Sequence, residues 1–147
     1  LTSLHQYPHV NVAVDLILGL PGDDYASFCR SFDWALSFPG VRTVTVNDCI
    51  LLRNTQLERE RKRFSIRTNV DGVVTSNCSF SSQDMRKASW LYMAYRYLQT
   101  RDPQGLVQLR RHPTPSIVLQ RIATKMRRYG KLGPGRALIP WRRDIIA

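Results

Sequence analysis

The chain has 147 residues, of which 43% are apolar and 22% are charged, and its formal net charge at pH 7 is +11. This balance is typical of a globular domain with a sizeable core, and it excludes disorder over the whole length. The longest apolar run, from Val12 to Leu20, is strand-sized and interrupted by Asp15, whereas a transmembrane helix needs about 20 apolar residues. We therefore expect no membrane-spanning segment.

Three cysteines, Cys29, Cys49 and Cys78, lie far apart in the sequence. Their odd number and wide spacing match neither a disulfide framework nor a zinc or iron–sulfur motif, which favours a reducing, cytoplasmic setting. The first residues, LTSLHQYPHV, include no initiator methionine and no targeting pattern. We therefore expect the chain to be a fragment of a longer cytoplasmic protein.

Positive charge is concentrated in the second part of the chain. Residues 1–52 hold two basic side chains against five acids, a net charge of −3, whereas residues 53–147 hold twenty against six, a net charge of +14. Such an excess suits nucleic acid, a phosphorylated or carboxylated substrate, or an acidic face of a missing domain. All three kinds of partner stay open at this point.

The first 52 residues predict a strand, a helix and a second strand. The strand from Val10 to Leu20 is apolar except at Asp15, as is typical of a parallel strand buried on both faces. Asp23 or Asp24 then supplies a helix N-cap. One face of the helix that follows is apolar: Tyr25, Phe28, Cys29, Phe32, Ala35 and Leu36. Residues 41–52 predict the second strand, which completes a parallel βαβ unit.

The middle of the chain begins with a charged segment. Residues 53–64 predict a charged turn or short helix, and residues 67–80 a loop with weak strand content from Val73 to Thr75. Ser81 and Asp84 then have the spacing of a capped helix start, and the helix is expected to reach residue 99.

Two further helices are expected near the C-terminus. Asp102-Pro103 starts a short one that runs toward Arg111. Thr114-Pro115 starts another, which ends at Gly130 and carries an apolar stripe of Val118, Ile122 and Met126. The tail from Lys131 is expected to be irregular.

The glycine turn LGLPGDD, residues 18–24, matches none of three known site motifs. It lacks the Gly-Lys-Ser/Thr end of a phosphate loop, the G-x-G-x-x-G spacing of a dinucleotide site and the serine of a nucleophile elbow. His5, His9 and His112 are scattered in proline-flanked segments, and we expect them to be surface residues. We therefore assign no catalytic residue and no metal ligand within the chain.

Asp15 is the unusual residue of the first strand. A carboxylate in an apolar strand is costly to bury unless it is paired or hydrogen-bonded. One hypothesis is a structural acid that hydrogen-bonds a neighbouring turn. The other is an acid that points into a barrel or crevice and accepts hydrogen bonds from sugar hydroxyls, as acids do in nucleotide sites.

Three stretches of the sequence together carry a family resemblance. Residues 15–22 follow the pattern D-h-I-h-G-h-P-G, in which h is apolar, and they precede a helix bearing aromatic residues and a second strand. The second strand leads into Leu51–Leu57, and Phe80–Met85 opens a later helix. Residues 10–99 resemble the second half of the radical S-adenosylmethionine (SAM) barrel. The resemblance is closest to the branch with an N-terminal cobalamin-binding domain.

The resemblance implies an α/β fold. Residues 1–66 would supply the C-terminal strands and a helix of a partial (β/α)6 TIM-like barrel, and residues 67–147 a mainly helical, basic C-terminal extension. Two features depart from the family pattern. Arg53 replaces the usual proline before Asn54-Thr55, and the C-x-x-x-C-x-x-C motif that ligates the [4Fe-4S] cluster is absent. The cluster ligands and the cobalamin domain are therefore expected in a missing N-terminal part of the same chain.

The resemblance also assigns a cofactor site. Asp15 would accept hydrogen bonds from the ribose hydroxyls of SAM, Ile17 would contact the adenine, and Gly19 would leave room at the mouth of the barrel. Cys49 and Ile50 align loosely with residues on the adenine side. In this family the [4Fe-4S] cluster cleaves SAM reductively to a 5′-deoxyadenosyl radical, and in the cobalamin branch a methyl group is often transferred to an unactivated carbon of a small-molecule substrate.

Two alternatives account for the basic second part. One is a radical SAM enzyme that modifies tRNA. The other is a non-catalytic module that binds nucleic acid through Arg121, Lys125, Arg127 and Arg128. These four residues spread around the predicted helix rather than forming one narrow stripe, which favours a solvated face or packing against a missing acidic domain.

Overall fold

The structure, a computed structural model, describes residues 9–38 and 40–129. Within them the elements in chain order are β1 (Val12–Leu18), α1 (Tyr25–Ser37), β2 (Val41–Asp48), α2 (Gln56–Arg59), β3 (Arg67–Thr68), β4 (Val74–Ser76), α3 (Ser82–Arg101), α4 (Pro103–Arg111) and α5 (Pro115–Tyr129). The protein is therefore of the mixed α/β class, as predicted. His5 and the tail predicted to be irregular lie outside the described residues.

The chain divides into two compact units, one up to Ala88 and one from Ser89 onward. Unit 1 contains all four strands together with α1 and α2, and unit 2 contains α4 and α5. Helix α3 begins in unit 1 and ends in unit 2. The predicted limit of the barrel segment, at residue 66, lies within unit 1.

Strands β1 and β2 pair in parallel, which confirms the predicted βαβ order. Both strands are shorter than predicted. Strand β1 ends at Leu18 because Gly19 has a φ of +96°, which extended backbone does not adopt. Strand β2 ends at Asp48 because the next residues turn toward β4, where the Val74 N–H donates to the Cys49 carbonyl at 2.9 Å.

Among the described elements, helix α1 covers one face of the β1–β2 pair. Helix α1 packs on that face, and its buried side chains meet those of the strands: Phe28, Cys29, Phe32, Ala35 and Leu36 from the helix and Leu18, Val41 and Val44 from the strands. On the other face Ala13, Asp15 and Ile17 are exposed. Within the described residues the prediction that β1 is buried on both faces is therefore wrong, because a single helix can shield only one side of a sheet.

Helix α1 begins at a capping box that only one of the two candidate aspartates forms. The Asp24 carboxylate accepts a hydrogen bond from the Ser27 N–H at 2.7 Å, and the Ser27 hydroxyl accepts one from the Asp24 N–H at 2.9 Å. The bond from the Ser27 backbone lowers the pKa of the Asp24 carboxyl. Asp24 is therefore the N-cap, and the Gly-Leu-Pro-Gly turn is separated from the helix by Asp23.

The rest of unit 1 also follows the predicted pattern. The charged segment forms the single turn of α2, where the Thr55 hydroxyl accepts from the Glu58 N–H at 3.2 Å. The weak strand signal from Val73 to Thr75 corresponds to β4, which pairs with β3 in antiparallel fashion. The Ser81 hydroxyl accepts from the Asp84 N–H at 3.1 Å, as the predicted helix start requires.

Unit 2 packs α4 against α5. The Asp102 carboxylate caps α4 by accepting from the Gly105 N–H at 3.1 Å. Helix α5 buries Val118 and Ile122 as predicted, together with Leu119 and Ala123, whereas Met126 stays partly exposed. None of the helices in the described ranges is both long enough and apolar enough to cross a membrane.

Candidate ligand-binding face

The uncovered face of the β1–β2 pair, which we call the open face, contains most of the predicted site. The register places Asp15 beside Thr45 and Ile17 beside Asn47, with Ala13 beside Thr43 farther from the carboxyl ends of the strands. In parallel strands, paired residues point to the same side of the sheet. The open face therefore combines a carboxylate, two hydroxyls and an amide around one apolar side chain.

The Asp15 carboxylate has no intramolecular partner in the part of the chain that the structure describes. It is exposed, and no described residue donates a hydrogen bond to it or forms an ion pair with it. The hypothesis of a structural acid bound to a neighbouring turn therefore has no support in the geometry. Two carboxylate oxygens remain open to accept hydrogen bonds from a ligand.

Ile17 lies one strand position beyond the acid on the same side. Ile17 is 47% exposed, whereas Leu18, its neighbour on the opposite side of the strand, is buried. An apolar group at this level suits the flat face of an aromatic ring, because the ring then loses water on one side without having to form new polar contacts. Asp15 and Ile17 therefore lie on the same side of β1.

Gly19 has a structural explanation of its own. Its φ is positive, and a Cβ added there would lie 2.7 Å from Met85 Cε and 3.5 Å from Val74 Cγ1. The missing side chain therefore makes room for Met85, which packs beneath the turn and is buried. The packing against Met85 does not test the predicted role of Gly19, which is to leave room for a ligand.

A hydrogen-bonded segment from later in the chain holds the turn after β1. The Asn77 Nδ2 donates to the Gly19 carbonyl at 2.9 Å, and the Ser79 hydroxyl accepts from the Gly22 N–H at 2.9 Å. The Asn77 Oδ1 in turn accepts from the backbone N–H groups of Ser79 and Phe80, both at 2.9 Å. Asn77 is 9% exposed, so its bonds to Gly19 and Phe80 are formed away from water, whereas the bond between Ser79 and Gly22 is exposed.

Sequence reasoning missed Asn77 and Ser79. The Asn-x-Ser sequence at 77–79 is a local signal for a turn in which the amide oxygen binds its own backbone two residues on. That signal predicts the turn but not its partner, because Gly19 lies 58 residues away. The network fixes the backbone at the carboxyl end of β1, immediately beyond Ile17.

The chain has also been compared with known proteins. No protein-family model and no curated protein matches it. Within residues 9–38 and 40–129, no group of three or more His, Cys, Asp or Glu side chains is arranged to hold a metal ion. The assignment of the open face as a site therefore depends on its own geometry and on the motif that β1 carries.

The loosely aligned residues Cys49 and Ile50 have opposite environments. Ile50 is exposed just beyond the end of β2, whereas Cys49 is buried, and burial raises the pKa of the Cys49 thiol. Cys29 is buried as well, and Cys78 is exposed. Of the aligned pair, only Ile50 offers its side chain to a ligand in this chain.

These environments predict unequal thiol reactivity. At pH 8, Cys78 is expected to react with an aromatic disulfide reagent about tenfold faster or more than Cys49, because the thiolate is the nucleophile and needs access to the reagent. Stopped-flow absorbance with Cys78→Ser and Cys49→Ser identifies the two phases. If loss of Cys49 removes the fast phase, the buried environment of Cys49 is wrong.

Proposed function

We propose that the open face forms part of the SAM site of a radical SAM enzyme. The observation that carries the proposal is the Asp15 carboxylate, which no residue within 9–38 or 40–129 binds and which lies beside Ile17 near the carboxyl ends of parallel strands. Ligands of barrels and open α/β sheets bind at that end of the strands. The D-h-I-h-G-h-P-G pattern of β1 and its turn agrees with this family.

Each residue of the open face would contact a different part of SAM. Asp15 accepts hydrogen bonds from the two ribose hydroxyls, and Ile17 packs against the adenine ring. Thr45 and Asn47 lie beside them in register, and their side chains form no hydrogen bond to a described residue. Their side chains line the same wall and offer polar groups to the nucleoside. Asn77 and Ser79 act as positioning residues, because they hold the turn on which the carboxyl end of β1 depends.

The proposed architecture is the C-terminal part of a partial (β/α)6 barrel, residues 1–66, with residues 67–147 as its helical extension. In the described residues β1 and β2 form a two-stranded sheet, and a strand edge that lacks a neighbour favours pairing with further strands. Strands from an N-terminal part of the same protein would continue this sheet. The open face would then line the interior of the barrel, which would account for polar side chains on one face of strands that are otherwise apolar.

The proposed cofactors follow from the family resemblance. The [4Fe-4S] cluster, held by cysteines outside this segment, would supply the electron for reductive cleavage of bound SAM. Because the resemblance is closest to the cobalamin branch, we place the reaction there, as methyl transfer to an unactivated carbon of a small-molecule substrate. This segment would bind and orient SAM and shield it from water.

Replacing Asp15 tests the proposal. In the full-length protein, Asp15→Ala is expected to weaken SAM binding about 10- to 100-fold, because hydrogen bonds to a charged group are lost. Asp15→Asn should show a smaller loss, because the amide oxygen still accepts. Isothermal titration calorimetry with SAM measures both.

Asp71→Ala is the matched control, because Asp71 is also an exposed acid of unit 1 and lies on the loop between β3 and β4 rather than on β1 or β2. It should bind SAM normally. Equal affinity for the wild type and Asp15→Ala would refute the assigned role of Asp15. A gene without a three-cysteine cluster motif upstream of Leu1 would refute the radical SAM assignment.

A further inference from the structure

The helices of unit 2 carry charge of almost one sign. Residues 89–129 contain eight basic side chains, seven of them arginine, and one carboxylate, which gives a net charge of +7. That carboxylate is Asp102, whose side chain caps α4. Its negative charge is already included in the net value of +7.

Helix α5 presents its cations on one side. At 100° per residue, Arg121, Lys125 and Arg128 fall within an arc of about 60°, and Arg127 lies on the same exposed half of the helix. The opposite half buries Val118, Leu119, Ile122 and Ala123. Three of the four cations therefore form a stripe, whereas Arg127 lies about 100° from the nearest of them, so the four together do not form one narrow stripe.

Helix stabilisation does not account for this charge pattern. Cations in the last turns of α4 and α5, Arg110–Arg111 and Arg127–Arg128, do stabilise the helix dipoles. The same effect favours acids near the N-termini, where α4 has the N-cap Asp102 but none in its first turn, and α5 has none in its first turn. A solvated surface normally mixes both signs. Among the described residues, moreover, Arg121 and Arg128 form no ion pair.

We propose that unit 2 binds a nucleic acid through its phosphate backbone. A concentrated positive surface releases counterions from a polyanion, and the planar guanidinium of arginine matches the phosphate group in two parallel hydrogen bonds. Seven arginines against one lysine favour phosphate over a generally acidic protein face. The inference does not depend on SAM binding, since it concerns residues outside the open face.

The test uses the whole 147-residue chain and fluorescence anisotropy. Labelled single strands of RNA and of DNA, each about 20 nucleotides long, are titrated between about 50 and 300 mM salt. The triple variant Arg121→Gln, Lys125→Gln, Arg128→Gln is expected to bind on the order of 10²-fold more weakly at 0.1 M salt. The slope of its log binding constant against log salt concentration should be smaller in magnitude by about two to three. Circular dichroism checks that the exposed substitutions leave the helices intact.

A second triple variant is the matched control. Arg53→Gln, Lys62→Gln and Arg67→Gln remove the same charge from exposed positions of unit 1 and should change binding less than about threefold. The proposal is supported if the chain binds RNA or DNA and the α5 triple variant loses far more affinity than the unit 1 triple variant. Equal losses for the two triples, no binding to either strand, or a preference for vesicles of anionic phospholipid over both strands would overturn it.

Discussion

Replacing Phe32 by alanine is expected to lower the free energy of unfolding by about 3–5 kcal/mol. Phe32 has 0% exposure at the centre of the apolar face of α1, with the Phe28 ring 6.1 Å away. Because α1 covers the buried face of the β1–β2 pair, the cavity would lie directly under the strands. Equilibrium unfolding in urea, followed by far-ultraviolet circular dichroism, measures the change.

Trp34→Ala is the control on the same helix. Its side chain is 50% exposed, although its ring makes an edge contact with Phe38, and the expected loss is about 1 kcal/mol. If Phe32→Ala leaves too little folded protein to measure, Phe32→Leu keeps most of the volume and should cost about 1 kcal/mol. A larger loss for Trp34→Ala than for Phe32→Ala would contradict the assigned faces of α1.

Replacing Asn77 by alanine should cost about 3 kcal/mol. The substitution removes the donor to the Gly19 carbonyl and the acceptor for two backbone N–H groups, those of Ser79 and Phe80. Each buried group left without a partner costs about 1–3 kcal/mol. Urea unfolding gives the stability, and hydrogen exchange at Gly22 should become faster as the turn loosens.

Asn69 offers a control with the same local chemistry. The Asn69 Oδ1 accepts from the N–H groups of Asp71 and Val73 at 3.0 and 2.9 Å, but the residue is exposed. Water replaces those bonds in Asn69→Ala, so the expected loss is below about 1 kcal/mol. Equal losses at the two asparagines would show that the contact with Gly19 contributes nothing measurable.

The elements of the fold that depend on local signals could be predicted from the sequence. Asp24 and the spacing of Phe28, Phe32 and Leu36 predict α1, because the helix cap and the apolar stripe both lie within one short segment of sequence. The same holds for the start of α3 at Ser81. The parallel pairing of β1 and β2 was also predictable, since a strand, one helix and a strand rarely connect in another way.

The environment of each strand face was not predictable. An apolar run such as that of β1 indicates burial, but whether both faces are covered depends on how many neighbours the strand has. In the part of the chain that the structure describes, α1 covers one face, and Asp15 and Ile17 on the other face are exposed. Asp15 could be recognised as a candidate site residue from the sequence, because it is a carboxylate within an otherwise apolar strand. The roles of Asn77 and Ser79 required the fold.

The bond between Asn77 and Gly19 also has a consequence for the order in which the protein folds. It closes a chain segment of 58 residues, and closing so long a segment costs entropy that local turns do not. We therefore expect the βαβ unit to pair its strands first and the turn beyond β1 to be fixed later, when β4 and the start of α3 have reached it. Contacts that form after the transition state mainly slow unfolding. Asn77→Ala is accordingly expected to speed unfolding more than it slows folding.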